Sequence, residues 1–342
     1  MAGSTDRVVA VDASWLRQGG IARMAGEILA RAPAGVRVVR LRADRPNAGL
    51  LTPLDLARAA RGAQAEIIWS PGFMPPLFRA PGKRLCITVH DLAHLHHYSP
   101  AHRLYYDLLI RRLLRNVDRI FTVSDHARGE IIRWSGVDPQ RVVRVYNGVS
   151  EAFGGEPGAP GPGRAPSDVP RYLLYVGNRR AYKNLDRLIA AFARSGLAAR
   201  GYQLWLTGAL DDHIAAVAAR AGVGEALRYL GDVPDAALAQ LYRGAQALVF
   251  VSLYEGFGLP VVEAMASGCP VLTSNTTALA EVAGDAALLV DPCSVDGIAG
   301  GMNRICLDDP LRARLARAGL ARSTRFSWDA AAARYWQTLL AD

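Results

Sequence analysis

Short apolar runs alternate with helical patterns along almost the whole chain, and this alternation constrains the fold more than any other feature. The runs are 7-RVVAV-11, 36-VRVVRL-41, 65-AEIIW-69, 85-LCITV-89, 119-RIFTV-123, 141-RVVRV-145, 172-YLLYVG-177, 202-YQLWLTG-208, 226-ALRYLG-231, 246-QALVFVS-252, 270-PVLTS-274 and 286-AALLV-290. Such alternation is typical of parallel sheets covered by helices on both faces. The chain is therefore predicted to be an α/β protein with two Rossmann-like parallel sheets facing a cleft, since 342 residues suit two domains.

A stretch rich in glycine and proline divides the two sets of strands. In residues 154–170, ten of seventeen residues are Gly or Pro, a composition that suits neither a helix interior nor a ladder strand. We predict a linker at 154–170, with one domain at 1–153 and another at 171–325. Ligands of open parallel sheets bind beyond the carboxyl ends of the strands, so the loops after strands carry the candidate sites.

The excess positive charge lies entirely in the first half of the chain. Residues 1–153 carry 22 Lys+Arg against 13 Asp+Glu, whereas residues 154–342 carry 18 of each. This asymmetry predicts an anionic partner for the first half, either a phospholipid surface, a phosphorylated substrate or nucleic acid. Nucleic acid is disfavoured because no aromatic-interleaved basic patch or known binding motif is present. The arginine-rich helix at 103–120 could lie on anionic lipid or could be an ordinary core-facing helix with a basic outer face.

Other features of the composition indicate a cytoplasmic protein. No stretch resembles a signal peptide or is long and apolar enough to cross a bilayer. The four cysteines lack paired spacing, which predicts free, buried thiols in a reducing compartment. At most, the protein is expected to attach to a membrane from outside.

The richest chemistry follows the strand that ends near Ser252. The turn 255-EGFGLP-260 leads into a helix, and its two glycines let backbone amides approach a ligand. A helix start offers free N–H groups and a positive dipole end, which suit a phosphate. Glu255 and Glu263 could accept hydrogen bonds from sugar hydroxyls, although a glutamate pair alone is more often solvated surface.

The stretch 255-EGFGLPVVEAMASGCPV-271 resembles the E-x7-E signature of retaining family 4 glycosyltransferases with the GT-B fold. The resemblance extends in the family's order over 90-HDL-92, 121-FTVSDHARGEI-131, 146-YNGV-149, 175-YVGNRRAYKNLDRLIAAF-192 and 285-DAALLVDP-292. It implies transfer of a sugar from a nucleotide-diphosphate donor without a required metal or other cofactor. It also implies an acceptor-binding first domain, a nucleotide-sugar-binding second domain and a C-terminal helix at 326–342 that packs back on the first.

The resemblance assigns donor-site roles to residues of the second half. Glu263 would bind the nucleotide ribose, Glu255 the hydroxyls of the donor sugar, and Lys183 the leaving diphosphate. The backbone of Gly256, Phe257, Gly258 and Leu259 would approach the sugar and diphosphate. Arg179 is preferred to Arg180 as the partner of Lys183, and Val233 is the candidate for reading the nucleobase. Asn275 and Thr276 could belong to the site or to a plain turn.

In the first half, Gly19 and Gly20 could admit the acceptor or phosphate at a helix start, or could serve only the helix entry. The dinucleotide fingerprint G-x-G-x-x-G is absent, which disfavours a Rossmann dehydrogenase. His90 and Asp91 match the family's H-D-L motif. His90 is expected to offer an N–H donor or a partial positive charge to the donor sugar or β-phosphate, and Asp91 to orient it, bind the acceptor or cap the loop.

Five of the seven histidines lie in 88-TVHDLAHLHHYSPAH-102. The spacing of His94, His96 and His97 does not converge easily on a metal, and H-E-x-x-H is absent. No metal site is therefore predicted, and these side chains are expected to contact the acceptor or to form a solvated polar loop.

The sequence thus predicts a bacterial retaining hexosyltransferase of surface-polysaccharide or O-antigen synthesis. The version of the motif favours mannose from GDP-mannose as donor and a lipid-linked saccharide as acceptor, at the inner face of the cytoplasmic membrane. The alternatives are a non-hydrolysing sugar-nucleotide epimerase of the same architecture and a non-catalytic sugar-nucleotide-binding partner. The 255–260 turn disfavours the first, and the joint presence of His90, Lys183, Glu255 and Glu263 disfavours the second.

Overall fold

A computed structural model describes residues 7–17, 19–42, 49–154 and 170–341. The described residues form two compact units. The first comprises residues up to Gly148 together with those from Ser327 onwards, and the second runs from Val149 to Phe326. Most of the predicted linker, residues 155–169, lies outside the described part of the chain.

A six-stranded parallel sheet forms the centre of the first unit. Its strands are β1 (Arg7–Asp12), β2 (Val36–Leu41), β3 (Ile67–Ser70), β4 (Arg84–Thr88), β5 (Arg119–Thr122) and β6 (Val142–Arg144). They lie in the order β2-β1-β3-β4-β5-β6, and every pairing is parallel. β3 is buried throughout, as expected for a strand covered by helices on both faces.

Helices connect these strands. They are α1 (Gly19–Ala30), α2 (Thr52–Gly62), α3 (Ala93–His96), α4 (Pro100–Tyr105), α5 (Arg111–Leu113) and α6 (Asp125–Ser135). A π-helical turn over Tyr106–Ile110 and a 3₁₀ turn over Leu114–Asn116 join α4 and α5 into one helical segment, residues 100–116. The prediction that this helix extends to 120 is wrong, because Arg119 already belongs to β5 and pairs with Cys86 of β4.

The second unit repeats the architecture. Its strands are β7 (Tyr172–Tyr175), β8 (Gln203–Leu206), β9 (Leu227–Tyr229), β10 (Ala247–Phe250), β11 (Val271–Ser274) and β12 (Leu288–Val290). Its helices are α7 (Leu185–Ser195), α8 (Asp212–Arg220), α9 (Asp235–Gly244), α10 (Leu259–Ala266), α11 (Thr277–Ala283), α12 (Val295–Leu307) and α13 (Asp309–Ser323). The parallel strands lie in the order β12-β11-β10-β7-β8-β9.

The strand order determines where a ligand can bind at the edge of each sheet. In the second unit the chain runs outward from β7 to β9 and then returns to place β10 on the other side of β7. The loops after β7 and β10 therefore diverge, and such switch points leave a crevice at the carboxyl edge of the sheet. In the first unit the corresponding point lies between β1 and β3.

The C-terminal helix α14 (Trp328–Leu340) belongs to the first unit. The Trp336 indole donates a hydrogen bond of 2.9 Å to the carbonyl of Ile28 in α1. The Tyr335 ring stacks on Phe121 of β5 with ring centroids 4.2 Å apart. The two parallel sheets and this returning helix confirm the predicted GT-B architecture.

Residues 149–153 pack with the second unit, where the Phe153 ring meets the Tyr242 ring edge-on at 5.9 Å. The prediction of buried thiols is confirmed for Cys86, Cys269 and Cys306 but is wrong for the exposed Cys293.

Within the described ranges, no helix is long and apolar enough to span a membrane.

Candidate functional site

The switch point of the second sheet brings together residues that are far apart in the sequence. Lys183 follows β7 and Glu255 follows β10, and the Lys183 ammonium lies 2.6 Å from the Glu255 carboxylate. The two side chains are only 12% and 13% exposed. Because little solvent screens them, the two charges attract each other more strongly than those of a surface pair.

A clamp that the sequence interpretation missed holds the lysine in place. Asn184 is buried with a left-handed backbone (φ 65°), and its side-chain amide donates to the carbonyls of Val251 (2.9 Å) and Pro292 (2.7 Å). The Leu253 amide also donates to the Tyr182 carbonyl at 2.8 Å. These bonds join the loop after β7 to the loop after β10. Asparagine directly after the lysine was the available signal, since it tolerates this conformation better than most residues.

Arg179 has donor groups that no described residue satisfies. Its Nη2 donates to the Thr207 carbonyl at 2.6 Å. Its Nε and Nη1 are buried, and neither has a hydrogen-bond partner among the described residues. Buried donors are nearly always paired in folded proteins, so these two suit an anionic ligand. Arg180 is exposed, which agrees with the preference for Arg179.

The turn 255–260 is shaped by both conformation and packing. Gly258 adopts φ 104°, and a Cβ there would lie 2.6 Å from Leu279, so larger residues are excluded. Phe257 is buried against Phe326 with ring centroids 5.6 Å apart. α10 begins at Leu259, within the 255–260 stretch, and proline is its second residue. Gly256 is buried within the same turn.

Glu263 lies in α10 and is only 4% exposed. The Tyr242 hydroxyl donates a hydrogen bond of 3.1 Å to its carboxylate. Tyr242 is a further residue that the sequence interpretation missed, because its contact depends on how α9 packs on α10. The ribose-binding role of Glu263 stays a prediction.

The remaining donor-side residues occupy loops after strands. Val233 is half-buried between β9 and α9, where a bridge between Gly208 and Gly231 joins the loops after β8 and β9. Asn275 and Thr276 are exposed, and Thr276 immediately precedes α11.

In the first unit, His90 follows β4 and contacts the end of the neighbouring strand. Its Nε2 lies 2.9 Å from the Pro71 carbonyl, which can only accept, so Nε2 carries the proton. Burial lowers the pKa of His90, with the Pro71 hydrogen bond and Asp91 acting in the opposite direction. A neutral ring with Nε2–H already bound leaves Nδ1 as an acceptor. The expectation of a free N–H donor or positive charge therefore does not fit this geometry.

Asp91 and the paired glycines take local structural positions. The Asp91 carboxylate accepts a hydrogen bond of 2.9 Å from the Ala93 amide and so closes the loop before α3, which matches the predicted alternative that it caps the loop. Gly19 and Gly20 are exposed at the start of α1, and Gly19 has φ 85°. Their proposed contact with acceptor or phosphate stays a prediction.

Two families of known proteins match this chain, one in each half. The family described as Glycosyltransferase Family 4 matches residues 5–153, and the family described as Glycosyl transferases group 1 matches residues 164–322. The chain is 35% identical over 303 residues to an O-antigen chain mannosyltransferase B of Escherichia coli, covering 82% of this chain and 75% of that protein. The chain belongs to the family 4 glycosyltransferases.

Solved structures agree with this family at the level of the fold. A sucrose-phosphate synthase of Thermosynechococcus elongatus matches with a TM-score of 0.76 and 22% identity, over 97% of this chain and 98% of that one. The Anabaena protein HepE, solved with UDP-glucose, matches with a TM-score of 0.73 and 18% identity, over 97% of this chain and 99% of that one.

A buried acidic network in the first unit of the glycosyltransferase was also missed. The Asp12 carboxylate, at the end of β1, accepts from the Ser14 hydroxyl (2.7 Å) and the Ser70 hydroxyl (3.3 Å), and lies 3.6 Å from Arg42 Nε. It caps the 3₁₀ turn that ends at Trp15, and a Cβ on Gly72 would lie 2.2 Å from that indole. The network thus supports the segment whose Pro71 carbonyl binds His90.

The histidine-rich loop of the glycosyltransferase divides by environment. His94 packs between Tyr106 (ring centroids 3.7 Å apart) and Phe73 (5.1 Å), so a solvated role is wrong for this residue. His96 and His97 are exposed, and His96 lies 3.6 Å from Glu130. Within the described residues, no group of three or more His, Cys, Asp or Glu side chains could hold a metal ion.

Packing of His94 predicts an acid-sensitive stability. Burial, then His96 and His102, lowers the pKa of His94 from 6.5 to about 3, against a small opposing effect of Asp107. The folded protein therefore binds fewer protons than the unfolded chain, and stability is lost as pH falls below 6.5. We expect His94 to account for a loss of about 2 kcal/mol in the free energy of unfolding near pH 5.

Urea unfolding of the wild type and His94→Phe at neutral pH and near pH 5 measures this loss. His94→Phe should lose less stability on acidification than the wild type. The matched control is His213→Phe, at an exposed histidine of the second unit, which should lose as much stability as the wild type. An equal acid loss in the wild type and His94→Phe would contradict the assignment.

Proposed function

We propose that this glycosyltransferase moves mannose from GDP-mannose to a lipid-linked saccharide, with retention of anomeric configuration. The observation that carries the proposal is the site at the switch point of the second sheet, where the Lys183–Glu255 pair lies in the same unit as two unsatisfied donors of Arg179, Nε and Nη1. A nucleoside diphosphate supplies the anionic charge that such a site lacks. This transfer is a step in the synthesis of a bacterial surface polysaccharide.

The positive groups of the second unit act on the leaving diphosphate. The Lys183 ammonium and the Arg179 guanidinium stabilise the negative charge that grows on it, and the amides at the start of α10 add their dipole. These groups provide the charge stabilisation that a divalent metal provides in other enzymes, so the reaction proposed here needs no metal.

Carboxylates position the two sugar rings of the donor. Glu255 accepts hydrogen bonds from hydroxyls of the transferred sugar while the Lys183 ammonium, 2.6 Å away, orients its carboxylate. Glu263, held by the Tyr242 hydroxyl, accepts from the ribose, and Val233 lies beside the nucleobase. Gly256, Phe257, Gly258 and Leu259 provide the backbone that faces the sugar and diphosphate.

The first unit supplies the acceptor side. His90 Nδ1 accepts a hydrogen bond from a sugar hydroxyl, while Asp91, Gly19 and Gly20 border the acceptor. During transfer the bond from the anomeric carbon to the diphosphate breaks and a bond to the acceptor oxygen forms on the same face. The acceptor proton passes to the departing diphosphate oxygen.

The choice of mannose rests on the relative. The Escherichia coli protein is named a mannosyltransferase of the O-antigen chain, and it covers both units of this chain. HepE, which matches only in fold, is described with UDP-glucose, so UDP-glucose is the competing donor to test. A lipid-linked acceptor places the enzyme at the cytoplasmic face of the membrane.

A donor panel tests the proposal. GDP-mannose at about 100 times its Kd should stabilise the protein by about 2.7 kcal/mol and raise its Tm, whereas UDP-glucose should not. Arg179→Ala should abolish this shift, and Arg180→Ala, at the exposed neighbouring arginine, should keep it. Stabilisation by UDP-glucose alone would exclude the proposed donor. Binding of GDP-mannose without turnover on any lipid-linked acceptor would favour a non-catalytic binding partner.

A further inference from the structure

Exposed apolar side chains concentrate in one region of the first unit. Among the described residues, nine large apolar side chains are exposed, and six of them lie between residues 50 and 108. These six are Leu50, Leu51, Leu77, Tyr98, Leu104 and Leu108. Single exposed leucines are ordinary, but a contiguous group marks an interaction surface.

Hydrogen bonds show that the segments carrying these side chains are neighbours. The Tyr105 hydroxyl lies 3.5 Å from the Leu50 carbonyl, and the Leu77 amide donates to the Pro53 carbonyl at 2.9 Å. The Asn116 side chain donates to the Leu77 carbonyl at 3.1 Å. The start of α2, residue 77 and the helix of residues 100–116 therefore form one continuous surface.

Leucines and arginines share the outer face of that helix. Leu104 and Leu108 are four residues apart and are 58% and 51% exposed. The same face continues at the helical spacing into Arg111, Arg112 and Arg115, all exposed. We call Leu50, Leu51, Leu104 and Leu108 the leucine tip, and Arg111, Arg112 and Arg115 the arginine row.

The arginine row is not neutralised by the helix itself. Asp107 is the only acid in residues 100–116, and it accepts a hydrogen bond of 2.7 Å from the Trp134 indole and lies 3.7 Å from Arg103. Within the described part of the chain, Arg111 and Arg115 have no hydrogen-bond or ion-pair partner. The row therefore presents open positive charge in the half of the chain that carries the whole excess of +9.

The position of the tip relates it to the acceptor side of the first unit. Helices that follow parallel strands begin at the carboxyl edge of the sheet, so Leu51 before α2 and Leu104 in α4 lie toward that edge. His90 follows β4 at the same edge. The arginine row continues along the helix away from the tip.

We infer that the leucine tip and the arginine row together dock on an anionic phospholipid bilayer, with the leucines entering the interface and the arginines on the headgroup phosphates. Apolar tips beside basic rows match the two layers of a membrane surface, an apolar interior below anionic headgroups. Docking would bring the carboxyl edge that carries His90 close to lipid. The role of this docking in catalysis rests on the proposed lipid-linked acceptor. Binding of the surface to the bilayer does not depend on that proposal.

Co-sedimentation with vesicles tests the surface. The wild type should bind equimolar phosphatidylcholine–phosphatidylglycerol vesicles at least about tenfold more tightly than phosphatidylcholine vesicles, and high salt should reduce this difference. Leu104→Ser/Leu108→Ser should weaken binding to the anionic vesicles about tenfold. Arg111→Gln/Arg112→Gln/Arg115→Gln should remove the preference for anionic lipid. Leu210→Ser/Leu307→Ser, at exposed leucines of the second unit, is the matched control and should bind like the wild type.

Activity separates this inference from the proposed function. On a water-soluble acceptor, the tip variant should turn over the donor like the wild type, and only its rate on acceptor embedded in anionic vesicles should fall. Unchanged vesicle binding by the tip and row variants would overturn the inference even if the enzyme is active. A change from dimer to monomer in the tip variant, with no vesicle binding by the wild type, would instead identify a contact between copies and overturn it. Circular dichroism of each variant checks that it is folded.

Discussion

Replacing Lys183 with alanine is expected to lower kcat/KM for the sugar nucleotide by about 10²–10³-fold, the usual effect of removing one stabilising group from a developing oxyanion. Lys183 lies after β7, 2.6 Å from Glu255, and is only 12% exposed. Its loss removes a positive charge from the proposed diphosphate position and leaves the Glu255 carboxylate without its partner. Steady-state release of nucleotide measures the effect.

A double-mutant cycle distinguishes the two consequences of losing Lys183. If the lysine acts only by holding Glu255, then Lys183→Ala added to Glu255→Gln should cause no further loss. If it acts on the diphosphate, the double variant should be slower than Glu255→Gln alone. Lys83→Ala is the control, because Lys83 is the only other lysine and binds the carbonyls of Ala63 and Ala65 in the first unit. Equal nucleotide release by the wild type and Lys183→Ala would exclude the proposed role.

Replacing Asp12 with alanine is expected to lower the free energy of unfolding by about 3–5 kcal/mol, because removal of one partner leaves a buried charge uncompensated. The Asp12 and Arg42 side chains are 0% and 3% exposed, with Arg42 Nε 3.6 Å from the carboxylate. The Ser14 and Ser70 hydroxyls would also lose their acceptor. Urea unfolding followed by tryptophan fluorescence measures the loss.

Arg194→Ala is the matched control for Asp12→Ala, because it breaks the exposed ion pair between Arg194 and Asp296. This pair should contribute no more than about 1 kcal/mol. An Asp12 variant that loses no more stability than Arg194→Ala would contradict a structural role for the buried pair. Asp12→Asn keeps an oxygen acceptor for Ser14, so its loss of stability should lie between those of Asp12→Ala and Arg194→Ala.

The prediction of the fold from the sequence succeeded because the alternation of strands and helices is a local signal. All twelve apolar runs became strands within a few residues of the predicted positions, including the short β6 and β12. The arginine-rich helix was predicted too long because helix and strand share a run of apolar and basic residues around Val117. Only the pairing of Arg119 with Cys86 decides where the strand begins.

The candidate site was predicted in its parts but not in its arrangement. Lys183, Glu255 and Arg179 follow strands, and the resemblance to the family assigned them to the donor site. Their mutual geometry depends on Asn184, whose amide reaches carbonyls 67 and 108 residues away. No local pattern contains such a contact. The protonation of His90 was likewise misjudged, because the acceptor at Pro71 lies directly after β3, 19 residues earlier in the chain.

The sequence by itself determined that this protein has two parallel α/β units, because apolar periodicity and glycine at a strand–helix turn act over a few residues. It also determined the charge asymmetry, which is a sum over composition. Only the tertiary structure decided that Lys183 pairs with Glu255, that Arg179 keeps unsatisfied donors, that Asp12 is buried with Arg42, and that His94 is packed between rings. Each of these depends on burial and on partners distant in the chain, and those exist only once the strand order brings the loops together.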